Sequence, residues 1–203
     1  VMQIGKWRRK ISVDVKPCQE NKLDPKTTRL PRNGTEGDIP HMMMVLGNYD
    51  ALECLLYGIG LDADEFVPGY TDAEKDKHVH VFKGLGGGST VNSRPVPDVN
   101  DTWSAGFKMQ KFDIALLACE GTADLSNKPN VNAIKHYADF GGRVLATHYH
   151  SLWITGDPDR TKGEAWEQRV LLRAGGFQST NPYPINTAFP KGRALSDWLF
   201  EVG

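Results

Sequence analysis

Short apolar runs recur along this chain, and they constrain its fold more than any other feature. They read H-M-M-M-V-L-G at 41–47, V-H-V-F-K at 79–83, I-A-L-L-A at 114–118 and V-L-A-T at 144–147. Runs this short and this continuous suit strands buried on both faces. Helix-period segments lie among them. One is opened by Asp50, with Leu52, Leu55, Leu56 and Ile59 at helical spacing and Gly60 near its end. Another is capped by Asn130, with Val131, Ile134 and Ala138 turned inward, and closes at Gly141-Gly142. Strands alternating with helices predict an α/β fold of broadly flavodoxin-like architecture, a mainly parallel sheet with helices on both faces.

The flanks read differently. Residues 1–15 place Met2, Ile4, Ile11, Val13 and Val15 at alternating positions, the period of an extended strand or ribbon. Val1 already lies in that pattern, so the chain reads as a piece of a longer one. Residues 16–40 hold Pro17, Pro25, Pro31, Gly34, Gly37 and Pro40 among polar residues, an irregular connecting arm. The domains expected are therefore 1–40, an extended strand and arm, and 41–203, the α/β domain. Residues 84–102 carry Gly86-Gly87-Gly88, Pro95 and Pro97 and read as a long flexible loop. A phosphate cradle is not expected there, since no helix follows closely and no Lys-Ser/Thr is present. Beyond His150 the pattern predicts helices over 164–174 and 191–202 and a short strand around Ile185.

The charge balance narrows the partners. With 24 basic and 25 acidic residues the net charge is -1, which favours neither nucleic acid nor an anionic membrane. The basic cluster at 6–10 is local and reads as the solvated face of a strand. No apolar stretch is long enough for a transmembrane segment. Cys18, Cys54 and Cys119 are too few for a disulfide scaffold, and no C-x-x-C occurs. One bridge, Cys54 to Cys119, is compatible with the pattern and leaves Cys18 free.

In a parallel sheet the carboxyl ends of strands line the ligand crevice, so Cys119, Glu120, His148 and His150 are expected on one edge. A thiol there acts as a nucleophile if His148 or His150 serves as base and Glu120 orients the ring. The plainer reading of Cys119 is a small buried hydrophobe beside a hydrogen-bonded acid. His148-x-His150 on an extended strand points both rings to one face, but spacing fixes no third metal ligand. No metal and no cofactor are therefore expected. Asp50 and Glu53 fit a capping box, with a carboxylate pair at the crest as the functional alternative. Asn33-Gly34-Thr35 and Asn100-Asp101-Thr102 match the glycosylation sequon.

The sequence Cys119-Glu120-Gly121, followed by Gly141-Gly142-Arg143-Val144-Leu145-Ala146-Thr147-His148, resembles the class I glutamine-amidotransferase-like superfamily over roughly 41–200. It looks closest to the trehalose-utilisation-type branch, in which Gly-Gly precedes a strand ending in histidine. In true amidotransferases that strand ends in an elbow bearing a nucleophilic cysteine. His148 stands at the matching position, so glutamine hydrolysis is not expected. A second resemblance rests on Gln3-Ile4-Gly5-Lys6-Trp7-Arg8-Arg9, Leu30-Pro31-Arg32-Asn33, Glu36-Gly37-Asp38-Ile39-Pro40, Asp50-Ala51-Leu52-Glu53-Cys54-Leu55-Leu56 and Phe189-Pro190-Lys191-Gly192. These runs are similar to a group of bacterial proteins, many deltaproteobacterial and often predicted surface lipoproteins, that carry a carboxypeptidase-regulatory-like β-domain before this region.

That resemblance implies an extracellular or outer-surface location. It also implies that residues 1–15 finish or pair with a preceding β-domain, so adjacent β-domains of the same polypeptide are the expected partners. Asn48-Tyr49 stands where that group has small residues, so Tyr49 is expected to reshape a ligand pocket beside Asp50 and Glu53. The function expected is a non-catalytic binding or scaffold domain. The alternative is a hydrolase or metal-dependent carbohydrate-active enzyme using Glu120, His148 and His150, with a small molecule or carbohydrate as ligand.

Overall fold

A computed structural model describes residues 1–103, 106–130, 132–155 and 185–202. The chain divides into two compact units, Val1–Arg169 and Val170–Gly203. In the first, β1 (Met2–Ile4) and β2 (Trp7–Arg9) form an antiparallel hairpin. The strands β3 (Met42–Leu46), β4 (Phe66–Pro68), β5 (Val79–Lys83), β8 (Ile114–Leu117) and β9 (Arg143–Ala146) form one sheet, ordered β4-β5-β3-β8-β9. Every pairing in it is parallel. Between β5 and β8 lie a short ribbon, β6 (Thr90–Val91) with β7 (Arg94–Pro95), and helix α2 (Asn100–Trp103). The other α-helices among the described residues of this unit are α1 (Leu52–Gly58), α3 (Ala133–Asp139) and α4 (Leu152–Thr155). Of the second unit, helix α5 (Pro190–Val202) is described, with Leu195, Trp198 and Leu199 exposed.

Side chains alternate across a strand, and β3 shows what that does when both faces are covered. Met43 and Val45 join Ala115, Leu117, Phe82 and Trp103 in one buried cluster, with Ile134, Tyr137 and Trp153 from α3 and α4. Met42, Met44 and Leu46 join Val79, Val81, Leu116 and Leu56 of α1 in the other. The apolar runs at 41–47, 79–83 and 114–118 are continuous because each of their faces meets a core. The α/β class and the parallel sheet therefore follow the expectation.

Several local features differ. Residues 10–15 lie outside the strands, and Val13 and Val15 are exposed. The hairpin is tied to the sheet unit: Trp7 packs on the Leu56 cluster and donates its indole N–H to the Pro31 carbonyl at 2.8 Å. The basic cluster is not a bare solvated face, since Lys6 pairs with Asp113 and the Arg9 guanidinium lies 3.7 Å from Glu36. Glu36 also takes a two-pronged contact from Arg29 at 2.7 and 2.9 Å, which pulls its carboxyl down to about 2.

In α1 the apolar stripe is largely outside. Leu56 is buried, but Leu55 and Ile59 are exposed. The α3 cap is displaced too: the helix begins after Asn132, no side chain caps it, and Ala133, Ile134 and Tyr137 are its buried residues while Ala138 is exposed. β9 is an edge strand whose Leu145 is exposed, so its apolar run was not a sign of burial on both faces. The loop at 84–102 contains the β6–β7 ribbon and α2, and it is packed. A Cβ on Gly84 or Gly87 would fall 2.6 or 2.4 Å from the Leu46 carbonyl oxygen. All three cysteines are free, Cys18 and Cys54 exposed and Cys119 buried, so the Cys54–Cys119 bridge is not formed. Ile185 is not in a strand, and the helix expected over 164–174 lies outside the described residues.

Candidate functional site

The crest of the sheet, where β3, β8 and β9 end, gathers Asp50, Cys119, Glu120, Thr147 and His148. After Leu117 the chain continues through Ala118-Cys119-Glu120 in close contact with the end of β3. A Cβ on Gly47 would lie 2.3 Å from the Cys119 carbonyl oxygen, so only glycine permits this approach. That oxygen accepts the backbone N–H of Asn48 at 2.9 Å and of Tyr49 at 3.1 Å. The Tyr49 ring lies over Gly121, and its remaining surface is exposed.

Asp50 is not a helix cap. The residue at the N-terminus of α1 is Ala51, and no side chain caps it. Instead Asp50 Oδ2 accepts the Cys119 backbone N–H at 3.1 Å and the hydroxyl of Thr147. One carboxylate thus joins the end of β8 to the end of β9. Charge-assisted bonds of this kind are stronger than those between neutral groups, and Asp50 spends them on the crest while the helix end has no side-chain cap. Glu53 does not complete a capping box either. Its Oε2 is buried with no hydrogen-bond partner among the described residues, facing a cavity of about 120 Å³ beside Leu46, Tyr57 and Val91.

The histidines part company. Thr147 is still extended, but His148 has a φ of +41° and opens a single 3-10 turn over His148–Ser151. The positive φ is uncommon for a residue with a Cβ and marks local strain. The turn sends the rings in different directions. His148 is exposed, lies tilted against the Tyr149 ring at 4.0 Å and places Nδ1 3.1 Å from Cys119 Sγ. The Gly121 N–H also points at that sulfur, at 3.4 Å. His150 is buried, with Nε2 2.9 Å from the Ala118 carbonyl and Nδ1 accepting the Trp153 indole N–H at 3.2 Å. The two partners fix one neutral tautomer, with the proton on Nε2. Burial pushes its pKa down to about 4, against a smaller upward pull from Glu120. The expectation that both rings share a face is overturned by the turn at His148. No cluster of three or more His, Cys, Asp or Glu side chains suited to a metal occurs among the described residues.

Glu120 is not the orienting partner of a histidine. It is buried, and its carboxylate accepts the Leu85 N–H at 3.1 Å, the Asn127 amide at 2.5 Å and the Lys128 ammonium. Lys128 is equally buried and donates also to the Asp124 carbonyl at 3.0 Å and Asn127 Oδ1 at 2.7 Å. Its ammonium lies 5.7 and 5.8 Å from the rings of Trp103 and Trp153. All three ammonium hydrogens and both carboxylate oxygens are thereby engaged.

Comparison with protein-family models, curated proteins and solved structures returned no match. The site therefore stands on its geometry. That geometry joins Cys119 to His148 and Asp50 to Thr147, and it separates Glu120 and His150 from both as internal structural groups. Lys128 and Asn127 give no sign of their role in the sequence. A lysine in the polar stretch 120–130 carries no local sign that it is buried. Thr147, next to His148 at the end of an apolar run, was the one legible signal.

Proposed function

We propose that this chain is a non-catalytic binding or scaffold domain of a larger exported or cell-surface protein, on a flavodoxin-like framework of the class I amidotransferase-like kind. The observation that carries the reading is the consumption of Glu120 and His150. Each is buried with its hydrogen-bonding atoms spent on protein partners. A general acid or base needs a proton route to a substrate, and Glu120 is only 3% and His150 only 1% exposed. The surface location and the adjacent β-domains rest on the resemblance of the Gln3–Arg9 and Glu36–Pro40 runs.

A second reading is favoured by one contact, the 3.1 Å approach of Cys119 Sγ to His148 Nδ1. A thiol paired with an imidazole is the arrangement that activates a cysteine nucleophile. Against it, Cys119 is only 1% exposed. The metal-dependent carbohydrate enzyme gains no such support, since His148 and His150 diverge.

The test is turnover of p-nitrophenyl acetate, p-nitrophenyl glycosides and glutamine by the purified chain, beside Cys119→Ala and His148→Ala variants. The scaffold reading expects no rate above that of the variants. A rate lost in both variants establishes the thiol reading in its place.

A further inference from the structure

We infer that a cavity on the Phe82 face of the sheet binds a free α-amino acid with an aromatic side chain. The cavity measures about 440 Å³, within the range of small-ligand sites. Its apolar walls are Tyr70, Phe82 and Phe112, and its charged rim is Asp98, Asp101, Lys108 and Lys111. The Phe112 ring meets Tyr70 at 5.9 Å and Phe82 at 6.1 Å, both edge to face. These rings form a fixed aromatic lining against which a further ring packs edge-on or offset.

The rim supplies charges of both signs. None of the ion pairs among the described residues uses Asp98, Lys108 or Lys111. The Lys111 ammonium sits 4.1 Å over the Tyr70 ring, which pre-positions it without neutralising it. Lys108 donates to the Asp101 carbonyl at 2.7 Å and keeps two further N–H groups. Asp98 accepts the Asn100 N–H at 2.9 Å through one oxygen.

This pattern discriminates among ligand classes. A purely apolar ring satisfies the walls but covers rim charges that it cannot pair, which is costly. A simple anion serves the lysines and brings a like charge toward Asp98. A simple cation does the reverse. A zwitterion carrying a ring matches all three features at once, with carboxylate toward the lysines, ammonium toward Asp98 and ring against the aromatic lining. The site is separate from the crest, so it does not depend on whether Cys119 is reactive.

The experiment is calorimetric titration of the whole chain with L-phenylalanine, 3-phenylpropionate, which lacks the ammonium, and phenethylamine, which lacks the carboxylate. Saturable one-site binding of L-phenylalanine is expected, with each analogue weaker by about tenfold or more, as the loss of a charged hydrogen bond implies. Asp98→Asn should abolish the discrimination against 3-phenylpropionate, and Lys111→Met that against phenethylamine. Absence of saturable L-phenylalanine binding overturns the proposal. So do equal affinities for the three compounds, or a discrimination that neither substitution alters. The wild-type comparison alone decides the ligand class if a variant fails to fold.

Discussion

Replacing Lys128 by Met probes the interior of the crest most directly. Methionine approximates the lysine stem and removes the ammonium. Three hydrogen bonds are lost, to Glu120, the Asp124 carbonyl and Asn127 Oδ1. Glu120 keeps the Leu85 N–H and the Asn127 amide on Oε1, while Oε2 loses its cation. Both side chains are at most 1% exposed, so water does not replace the missing partner. Breaking such a pair from one side costs about 3 to 5 kcal/mol. A domain's whole stability is about 5 to 15 kcal/mol, so the variant should stand near the edge of folding. Glu120→Gln/Lys128→Met removes both charges and should recover part of the loss, with a coupling of about 2 kcal/mol. Urea unfolding followed by tryptophan fluorescence reads this well, because Trp103 and Trp153 flank the ammonium. A loss below about 1 kcal/mol for Lys128→Met, on the scale of an exposed pair, or strict additivity in the double variant, would refute the reasoning.

Asp50→Ala should cost about 1 to 3 kcal/mol by stranding the Cys119 N–H, while the Thr147 hydroxyl keeps the Leu117 carbonyl at 3.2 Å. It should also raise the rate at which a disulfide reagent modifies Cys119, with Cys18 and Cys54 unchanged. Mass mapping of the labelled thiols checks this. His150 has a folded pKa of about 4 against about 6.5 when unfolded. Its neutral form is the one the fold accepts, so its contribution is complete above pH 6.5 and is lost as pH falls toward 4. That loss is about 3 kcal/mol, and His150→Asn should flatten the dependence in urea midpoints measured across the window. Gly47→Ala places a methyl group 2.3 Å from the Cys119 carbonyl oxygen. Its cost should be about 1 to 3 kcal/mol, seen as a lowered Tm.

The central strands were legible because β3, β5 and β8 are covered on both faces, which writes burial into every position of the run. β9 carries a similar run with one long side exposed, and nothing in V-L-A-T distinguishes an edge from a centre. β4 is Phe66-Val67-Pro68, too short and too close to proline to register as a strand. The crest was legible in part. Cys119 and His148 could be placed together because each ends an apolar run in a parallel sheet. Asp50 was misread because the capping box is a local pattern, whereas its acceptors' demand comes from Cys119 and Thr147, far along the chain. The separation of His148 from His150 depends on one backbone angle that no side-chain periodicity records. The buried Glu120–Lys128 pair depends on Leu85 and two tryptophans closing around it, and tertiary packing of that kind leaves no local trace.

The φ of +41° at His148 sets two properties of the chain against each other. Glycine adopts that angle without a steric penalty, so His148→Gly should make the bend after β9 easier to hold while deleting the imidazole in contact with the Cys119 sulfur. Resistance to unfolding and the environment of the thiol then move in opposite directions from a single substitution. A residue at such a position acts as a spring held under load. Its ring nitrogen lies 3.1 Å from the Cys119 sulfur, and Asp50 holds the Cys119 N–H and the hydroxyl of the neighbouring Thr147. Reagents that read the thiol should therefore report on the backbone angle 29 residues away in the chain.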